Sequence, residues 1–478
     1  MVMNDPGPFA QRIERALQND QVRANFRGAM SGFIQKRAAQ FPDEKSLQER
    51  RQQAAASRKN SLKRLPELLE ALEARLSENG IQVHWAEDAQ QANATIAAIL
   101  SANRVSKVVK GKSMVSEEIG LNDYLEQRGV QVIESDLGEF IIQLAGETPS
   151  HIVVPAVHKN RKQISALFEE HVKGAVYTED VDELTAIARR ELRHHFETAG
   201  AGISGVNFMV AETGTLCLIE NEGNGRMTTT VPPIHIAVTG IEKVVEKLAE
   251  LAPLLDLLPK SATGQPITTY VNLISSPRRP GELDGPEQVH LVLLDNGRSG
   301  IQAHASFVDT LQCIRCGACI NHCPVYVQVG GHAYGTTYPG PIGIVLEPQK
   351  QGLEEAGELL SACSLCGRCG EVCPVRIPLP DLIRQLRHAA VGTAHASETG
   401  FLQGRGALRK WPESVLWRLW STIHARGYLY RFFTRWLGRL RGVIPPGISV
   451  WSRYRSMPRP AALSLHQRVK NQAGIADE

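Results

Sequence analysis

The chain has 478 residues, 42% hydrophobic and 22% charged, with a formal net charge of +3 at pH 7. That length exceeds one ordinary core and calls for about two to four domains, while so small a net charge gives no general attraction to nucleic acid. The opening stretch MVMNDPGPFAQRIERALQND lacks an apolar signal-peptide core, and no apolar run is long enough to span a bilayer, so a cytoplasmic protein is expected.

Residues 8–58 read as helices, and KSLQERRQQAAASRKNSLKRL within them reads as a solvated, charged helical face. From residue 61 helices and strands alternate. LPELLEALEARLSENG is an amphipathic helix ending at Gly80, IQVHWA a strand, AQQANATIAAILSAN a helix and VSKVVK a strand. SEEIGLNDYLEQRG follows as a helix capped by Ser116, then VQVIESD and HIVVPAV as strands, the pitch of a parallel α/β sheet. VNFMVAETGTLCLIEN, IHIAVTG and VHLVLLDNG are strand-rich, with one helix predicted over IEKVVEKLAELAPLL and a Pro/Gly-rich loop over SSPRRPGELDGPE. The pattern predicts a helical region at 1–60, an α/β domain at 61–300, a cysteine-rich domain at 301–395 and a separate tail at 396–478. The cysteine-rich domain closes on the amphipathic helix PLPDLIRQLRHAAV, and Pro380 suits its first turn. The tail is basic and holds five of the six tryptophans: Trp411, Trp417, Trp420, Trp436 and Trp451.

Eight of the nine cysteines lie between residues 313 and 373, in two runs, CIRCGACINHCP and CSLCGRCGEVCP. A disulfide scaffold would spread its cysteines, so this usage points to metal in a reducing compartment. Both runs fit C-x2-C-x2-C-x3-C-P, in which three thiolates surround one face of a cubane and the fourth reaches a second cluster. The spacing predicts two [4Fe–4S] clusters, one held by Cys313, Cys316, Cys319 and Cys373, the other by Cys363, Cys366, Cys369 and Cys323. Structural zinc needs only C-x2-C pairs and leaves the third cysteine and the Cys-Pro of each run unexplained. Between the runs, GGHAYGTTYPGPIG lacks the lysine of a phosphate-binding loop and reads as packing around the clusters. Cys217, on an apolar strand, reads as a buried, inert thiol, and His194-His195 as surface residues of a charged helix.

In the α/β region, Lys110, Lys112 and Ser113 stand at a strand end beside a helix start, where open α/β sheets bind anions. A second loop gathers Glu212, Glu222, Asn224 and Arg226 around a glycine turn, which ordinary hairpin chemistry explains equally well. These seven residues are the candidate pocket of this domain.

The segments KGKSMVSEEIGLN and GISGVNFMVAETGTLCLIENEGNGRMTTTVPPIHIAVTGIEKVV, with the paired cysteine runs, resemble the lactate utilisation protein B family. The likeness covers nearly the whole chain. It implies an LUD domain over about 61–300, similar to the CoA-transferase and formyltetrahydrofolate cyclo-ligase fold, followed by a helical ferredoxin-like module and a helical basic tail. It also implies an iron–sulfur electron-transfer role in a three-protein system oxidising L-lactate to pyruvate. The implied partners are a cysteine-rich-motif subunit and a second LUD protein. All eight cluster cysteines match the family pattern, whereas no catalytic role follows for Lys112 or Arg226. Two other functions stay open at this point: a self-sufficient hydroxy-acid enzyme using the α/β domain, and a redox-sensing regulator. No dinucleotide or flavin fingerprint is visible, which disfavours the first. The aromatic, arginine-rich tail suits docking on the protein itself or on an acidic partner, or association with an anionic membrane surface; no nucleic acid is expected.

Overall fold

The computed structural model describes residues 7–392, 402–404, 406–408, 410–439 and 461–473. Its strands are β1 (Gln82–Ala86), β2 (Lys107–Lys110), β3 (Gln131–Glu134), β4 (Ala201–Gly205), β5 (Phe208–Val210), β6 (Thr215–Glu220), β7 (Ile234–Gly240), β8 (Val244–Val245), β9 (Tyr270–Ile274) and β10 (Gln288–Leu294). Six of them form an all-parallel sheet in the order β1-β10-β7-β4-β2-β3. The near-continuous apolar runs of β7 and β10 lie in its interior, as strands covered on both faces must. The edge strand β1 is only partly covered over Gln82–Trp85 and leaves Trp85 44% exposed.

Neighbouring residues of β2 show how the two faces are filled. Val108 packs with Ile96, Leu100, Leu121 and Leu125 on one side. Val109 packs with Phe140, Phe168, Leu184 and Phe196 on the other. The covering helices start where a side chain satisfies their free N–H groups: Asp88 for Ala89–Ala102, Asp136 for Leu137–Leu144, Asn160 for Arg161–His171 and Asp180 for Val181–Thr198. A second, four-stranded sheet in the order β8-β5-β6-β9 is antiparallel except where β5 meets β8. Cys217 is fully buried there, with its thiol pushed up to about 12 by burial, so it is inert at neutral pH.

Several segments differ from the sequence reading. HIVVPAV is a loop, and among the described residues no strand follows β3 in the sheet. Its backbone is held instead by the His151 ring, which accepts from the amides of Val153 and Val154, and by Ser150 N–H bonding the Pro155 carbonyl. IEKVVEKLAELAPLL is α-helical only from Leu251, after short 3-10 turns at Ile241–Lys243 and Leu248–Glu250; Val244 and Val245 extend alongside β5, and Glu242 and Lys243 are buried beside them. SEEIGLNDYLEQRG is two short helices, Met114–Glu118 and Leu121–Glu126, divided at Gly120 in the left-handed region, and the cap is Ser113 rather than Ser116.

The largest departure is the helix Glu44–Lys63. It buries Leu47, Arg51, Ala54, Arg58 and Leu62, a stripe at helical spacing that contains two arginines. Arg58 is fully buried and donates to the carbonyls of Val244 (2.9 Å), Leu311 (3.1 Å) and Glu242. Arg51 donates to the carbonyls of Cys373 (2.8 Å) and Gly370 (3.1 Å). The guanidinium fork suits this use, since its terminal N–H groups reach several fixed carbonyls at once, although Arg58 Nε is left buried without a partner.

The chain divides at Ala407–Leu408, and the N-terminal helices, both sheets and the cysteine region belong to the first unit. Helix Asp20–Gln40 meets the cysteine region through Phe26, edge-on to Tyr326 with centroids 5.4 Å apart. The second unit contains the helices Trp411–Ala425, Gly427–Arg439 and Leu465–Ala473. Trp411, Trp417, Trp420, Tyr428, Phe432 and Trp436 are exposed on it, whereas Trp451 lies outside the described residues. Among the described residues no helix is long and apolar enough to cross a membrane.

Helix Asn224–Thr230 lies so close to β4 that a Cβ on Gly202 would fall 1.8 Å from the Thr228 carbonyl oxygen. Gly202→Ala is expected to cost at least about 2 kcal/mol in chemical denaturation. Gly28→Ala, where nothing lies within 4 Å of the new methyl, should hold or gain up to about 1 kcal/mol as a helix-interior Gly→Ala change.

Candidate metal centres and the adjoining cleft

The two cysteine runs adopt the same local fold. In each, the residue before the second cysteine is left-handed, Arg315 (φ 59°) and Leu365 (φ 55°), and the next residue after that cysteine is a left-handed glycine, Gly317 (φ 75°) and Gly367 (φ 83°). Each glycine opens a short helix, Ala318–Asn321 or Arg368–Val372, that carries the third cysteine, Cys319 or Cys369. This path turns amide N–H groups toward sulfur: Arg315 N to Cys313 Sγ at 3.4 Å, Leu365 N to Cys363 Sγ at 3.3 Å and Ile377 N to Cys373 Sγ at 3.3 Å. The amides of Ala318, for Cys316, of Val325 and Tyr326, for Cys323, and of Gly370, for Cys369, favour the thiolate forms. Amides directed at thiolates stabilise a negatively charged cluster.

The fourth cysteine of each run crosses over. One cavity is lined by Cys313, Cys316, Cys319 and Cys373 with Ile152, Ile314, Ile342 and Val375. The other is lined by Cys363, Cys366, Cys369 and Cys323 with Pro341, Ile344 and Pro380. The first turn of helix Gly340–Gln351 stands between them, Ile342 facing one and Pro341 and Ile344 the other. All eight thiols are free. Burial pushes the Cys316 and Cys369 thiols up to about 12 and those of Cys323 and Cys373 up to about 11, a penalty on thiolate that a bound cation removes.

Four thiolates on one zinc at about 2.3 Å would stand only about 3.8 Å apart. Among the described residues, the group of metal-capable side chains whose ligand atoms all lie within 4.8 Å of one another is Glu147, His158 and His332, with no cysteine in it. The thiols are spread wider than a mononuclear site draws them, and the donor set, four sulfurs in an apolar cavity with amides aimed at them, fits an iron–sulfur cluster.

The surroundings of the two cavities differ. Around the first, Arg51 bonds the Cys373 carbonyl and Lys243 Nζ the Cys313 carbonyl at 3.0 Å, while Arg315 lies over the Tyr338 ring at 4.3 Å. At the second, Cys366 is exposed and Leu365 is 44% exposed. Behind the first cavity a buried charge network joins the cysteine region to the α/β domain. Arg298 pairs with Glu118 (2.8 Å) and Glu242 (2.7 Å), Lys350 pairs with Glu118 (2.7 Å), and the Tyr338 hydroxyl donates to Glu118 (2.7 Å). Burial opposes the Glu118 charge, yet Arg298 and Lys350 hold its carboxyl well below the usual range.

The α/β candidates are divided by the structure. Lys110, fully buried at the end of β2, is paired with Glu134 (2.8 Å) and Glu117 (3.0 Å). Lys112 donates to the Val153 carbonyl, and Ser113 caps Met114–Glu118, so all three serve the protein's own contacts. Asn224 Nδ2 reaches the Ser135 carbonyl at 3.1 Å, bringing the second loop to the same sheet end. Burial and the Asp136 charge raise the Glu222 carboxyl beside it, opposed by Lys112. Arg226 turns away, bonding Asn272 Oδ1 at 3.2 Å and covering the Tyr270 ring. Glu212 lies at the opposite end of β6, roughly 20 Å away at strand rise, where it accepts from the Leu248 amide.

The larger opening is elsewhere. A cleft of about 450 Å³ is lined by Met114, Glu117, Glu147, His158, His332 and Thr336, among others. A neighbouring cavity of about 190 Å³ shares Glu117 and Glu147 and adds Glu134 and Glu139. Glu139 Oε1 is buried without a hydrogen-bond partner; burial, then Glu117 and Glu134, push its carboxyl well above the usual range. None of these cleft residues was singled out from sequence, because they come from four distant segments and share no spacing. The His of GGHAYG was the nearest signal.

Replacing Glu118 with Ala removes the counter-charge of Lys350 and one of the two carboxylates that pair with Arg298. The expected loss is about 3–5 kcal/mol, read by anaerobic chemical denaturation, with Glu118→Gln losing less because it retains polar contacts.

Three family models match the chain: LUD domain at residues 69–294, 4Fe-4S dicluster domain at 309–377, and lactate utilisation protein B, C-terminal, at 385–473. Lactate utilization protein B of Shouchella clausii is 40% identical over 458 residues, covering 95% of this chain and 94% of that one. The protein of the same name from Macrococcus caseolyticus is 40% identical over 97% of each chain. An uncharacterized electron transport protein, YkgF, of Escherichia coli K12 is 44% identical over 80% of each chain.

Proposed function

Because the chain belongs to the lactate utilisation protein B family, we propose that it is the iron–sulfur electron-transfer subunit of a multi-protein system oxidising L-lactate to pyruvate. It binds two [4Fe–4S] clusters, one at Cys313, Cys316, Cys319 and Cys373 and the other at Cys363, Cys366, Cys369 and Cys323. The observation that carries this reading is the crossing of the fourth cysteines into two adjacent apolar cavities.

Oxidation of a 2-hydroxy acid to a 2-oxo acid releases two electrons and two protons. When bound, a pair of clusters accepts one electron each, which matches one turnover. The protein's own residues supply the rest of the design. Amides of Arg315, Leu365 and Ile377 offset negative charge at the sulfurs. Arg51 and Arg315 place positive charge around the first site, which favours electron residence there. Leu365 and Cys366 bring the second site to the surface, where electrons are exchanged with a partner.

The partners in this reading are a cysteine-rich-motif subunit and a second LUD protein. The exposed aromatics of the tail, interleaved with Arg418, Arg431 and Arg435, are the docking face for an acidic partner, with an anionic membrane surface as the other surface of matching chemistry. A self-sufficient hydroxy-acid enzyme is the second reading, favoured only by Glu139, buried beside the cleft with its carboxyl pushed up by burial and by Glu117 and Glu134.

The test is EPR of the reconstituted protein under anaerobic conditions. L-Lactate should leave the chain oxidised when alone and reduce it when both partners are present. Deleting residues 411–441 should abolish that reduction while dithionite still reduces the clusters. Reduction by lactate in the chain alone would establish the second reading instead.

A further inference from the structure

The wall of the cleft carries a second kind of metal chemistry, unconnected to the thiols. Glu147, His158 and His332 each present one ligand atom, and the three lie within 4.8 Å of one another. The histidine rings are edge-to-face with centroids 4.7 Å apart. They arrive from separate parts of the fold: Glu147 follows helix Leu137–Leu144, His158 ends the loop that replaced an expected strand, and His332 sits in the glycine-rich segment between the cysteine runs.

The hydrogen bonds around the three fix which atoms are available. Ser150 Oγ has one proton, and it goes to the Pro155 carbonyl at 2.9 Å. Its contact with His158 Nδ1 at 2.7 Å is therefore an N–H donated by the ring, which leaves Nε2 as the lone-pair nitrogen. That lone pair faces a carboxylate oxygen, Glu147 Oε2, at 2.6 Å. Two acceptors at this distance require a cation between them, a proton or a metal ion. His332 repeats the arrangement: its Nε2–H donates to the Thr148 carbonyl at 2.8 Å, so Nδ1 carries the lone pair. The other carboxylate oxygen, Glu147 Oε1, is held by Lys159. Each ligand is thus oriented by a bond from its far side, as metal-binding histidines and carboxylates are.

We propose that Glu147, His158 and His332 form a binding site for a divalent transition cation of the zinc and iron(II) class. Two imidazoles and one carboxylate are the donor set of open, reactive zinc and non-haem iron sites rather than of closed structural ones. The remaining coordination positions face the cleft of about 450 Å³, where Glu117 and Thr336 also stand. The bound cation would take a small oxygen-donor ligand, such as a carboxylate, on that side. This site is independent of the electron-transfer reading, since none of its ligands belongs to either thiol set.

The test uses the full-length protein with its clusters intact, stripped of loosely bound metal anaerobically and equilibrated with buffered Zn(II). Metal analysis should find one zinc per chain beyond the iron in the unsubstituted protein. His332→Gln and Glu147→Gln should weaken that binding at least about tenfold with the iron content unchanged. X-ray absorption at the zinc edge of the unsubstituted protein gives a readout that needs no variant. Nitrogen and oxygen neighbours at about 2.0–2.1 Å with imidazole scattering support the site. Sulfur at about 2.3 Å, no zinc beyond trace, or equal affinity in both variants would overturn it, leaving a proton-bridged histidine–carboxylate pair.

Discussion

The crossing of Cys323 and Cys373 is the constraint on which the rest of the first unit depends. Each cavity draws three cysteines from one run and the fourth from the other, so neither can form unless both runs are folded and packed together. The 39 residues between Cys323 and Cys363 must then return the chain to its starting place. Helix Gly340–Gln351 does so by inserting its first turn between the cavities, and almost every residue of that helix is buried. Cluster binding and folding of this region are coupled, because the thiolates cannot sit together without a cation.

That coupling extends into the α/β domain through charge. Helix Glu44–Lys63 sends Arg51 to carbonyls at the first cavity and Arg58 to carbonyls of both the α/β domain and the cysteine region. Arg298, Glu118, Glu242 and Lys350 complete a buried network behind it. Burying so many charges is costly and is tolerated only where each is paired. A consequence is positional rigidity: a displaced domain would strand an unpaired charge. The same positive groups offset the negative charge of an iron–sulfur centre, which links the architecture to the proposed residence of electrons at the first site.

The sequence was readable wherever a pattern was local. β2, β7, β10 and the helices Leu65–Glu78 and Ala89–Ala102 follow from apolar period and caps, and the repeated cysteine spacing marked the region where the eight thiols gather. Local pattern failed where tertiary partners decide. HIVVPAV has a strand's composition, yet among the described residues no strand follows β3 in the sheet, and His151 satisfies its amides. The arginines of Glu44–Lys63 look solvated until the carbonyls they reach are in place. Glu212 and Arg226 lay near Glu222 in sequence, yet β6 and the turn of the following helix carry them to different sites. The cleft residues Glu117, Glu147, His158 and His332 have no common spacing at all, and only the fold makes them neighbours.

The central claim is that the fourth cysteine of each run serves the other run's cluster. Thiol mapping by mass spectrometry in a Cys323→Ser variant, alkylated anaerobically after cluster reconstitution, tests it directly. The account predicts labelling of Cys363, Cys366 and Cys369, with Cys313, Cys316, Cys319 and Cys373 protected. Labelling of Cys313, Cys316 and Cys319 instead, with the second run protected, would contradict it.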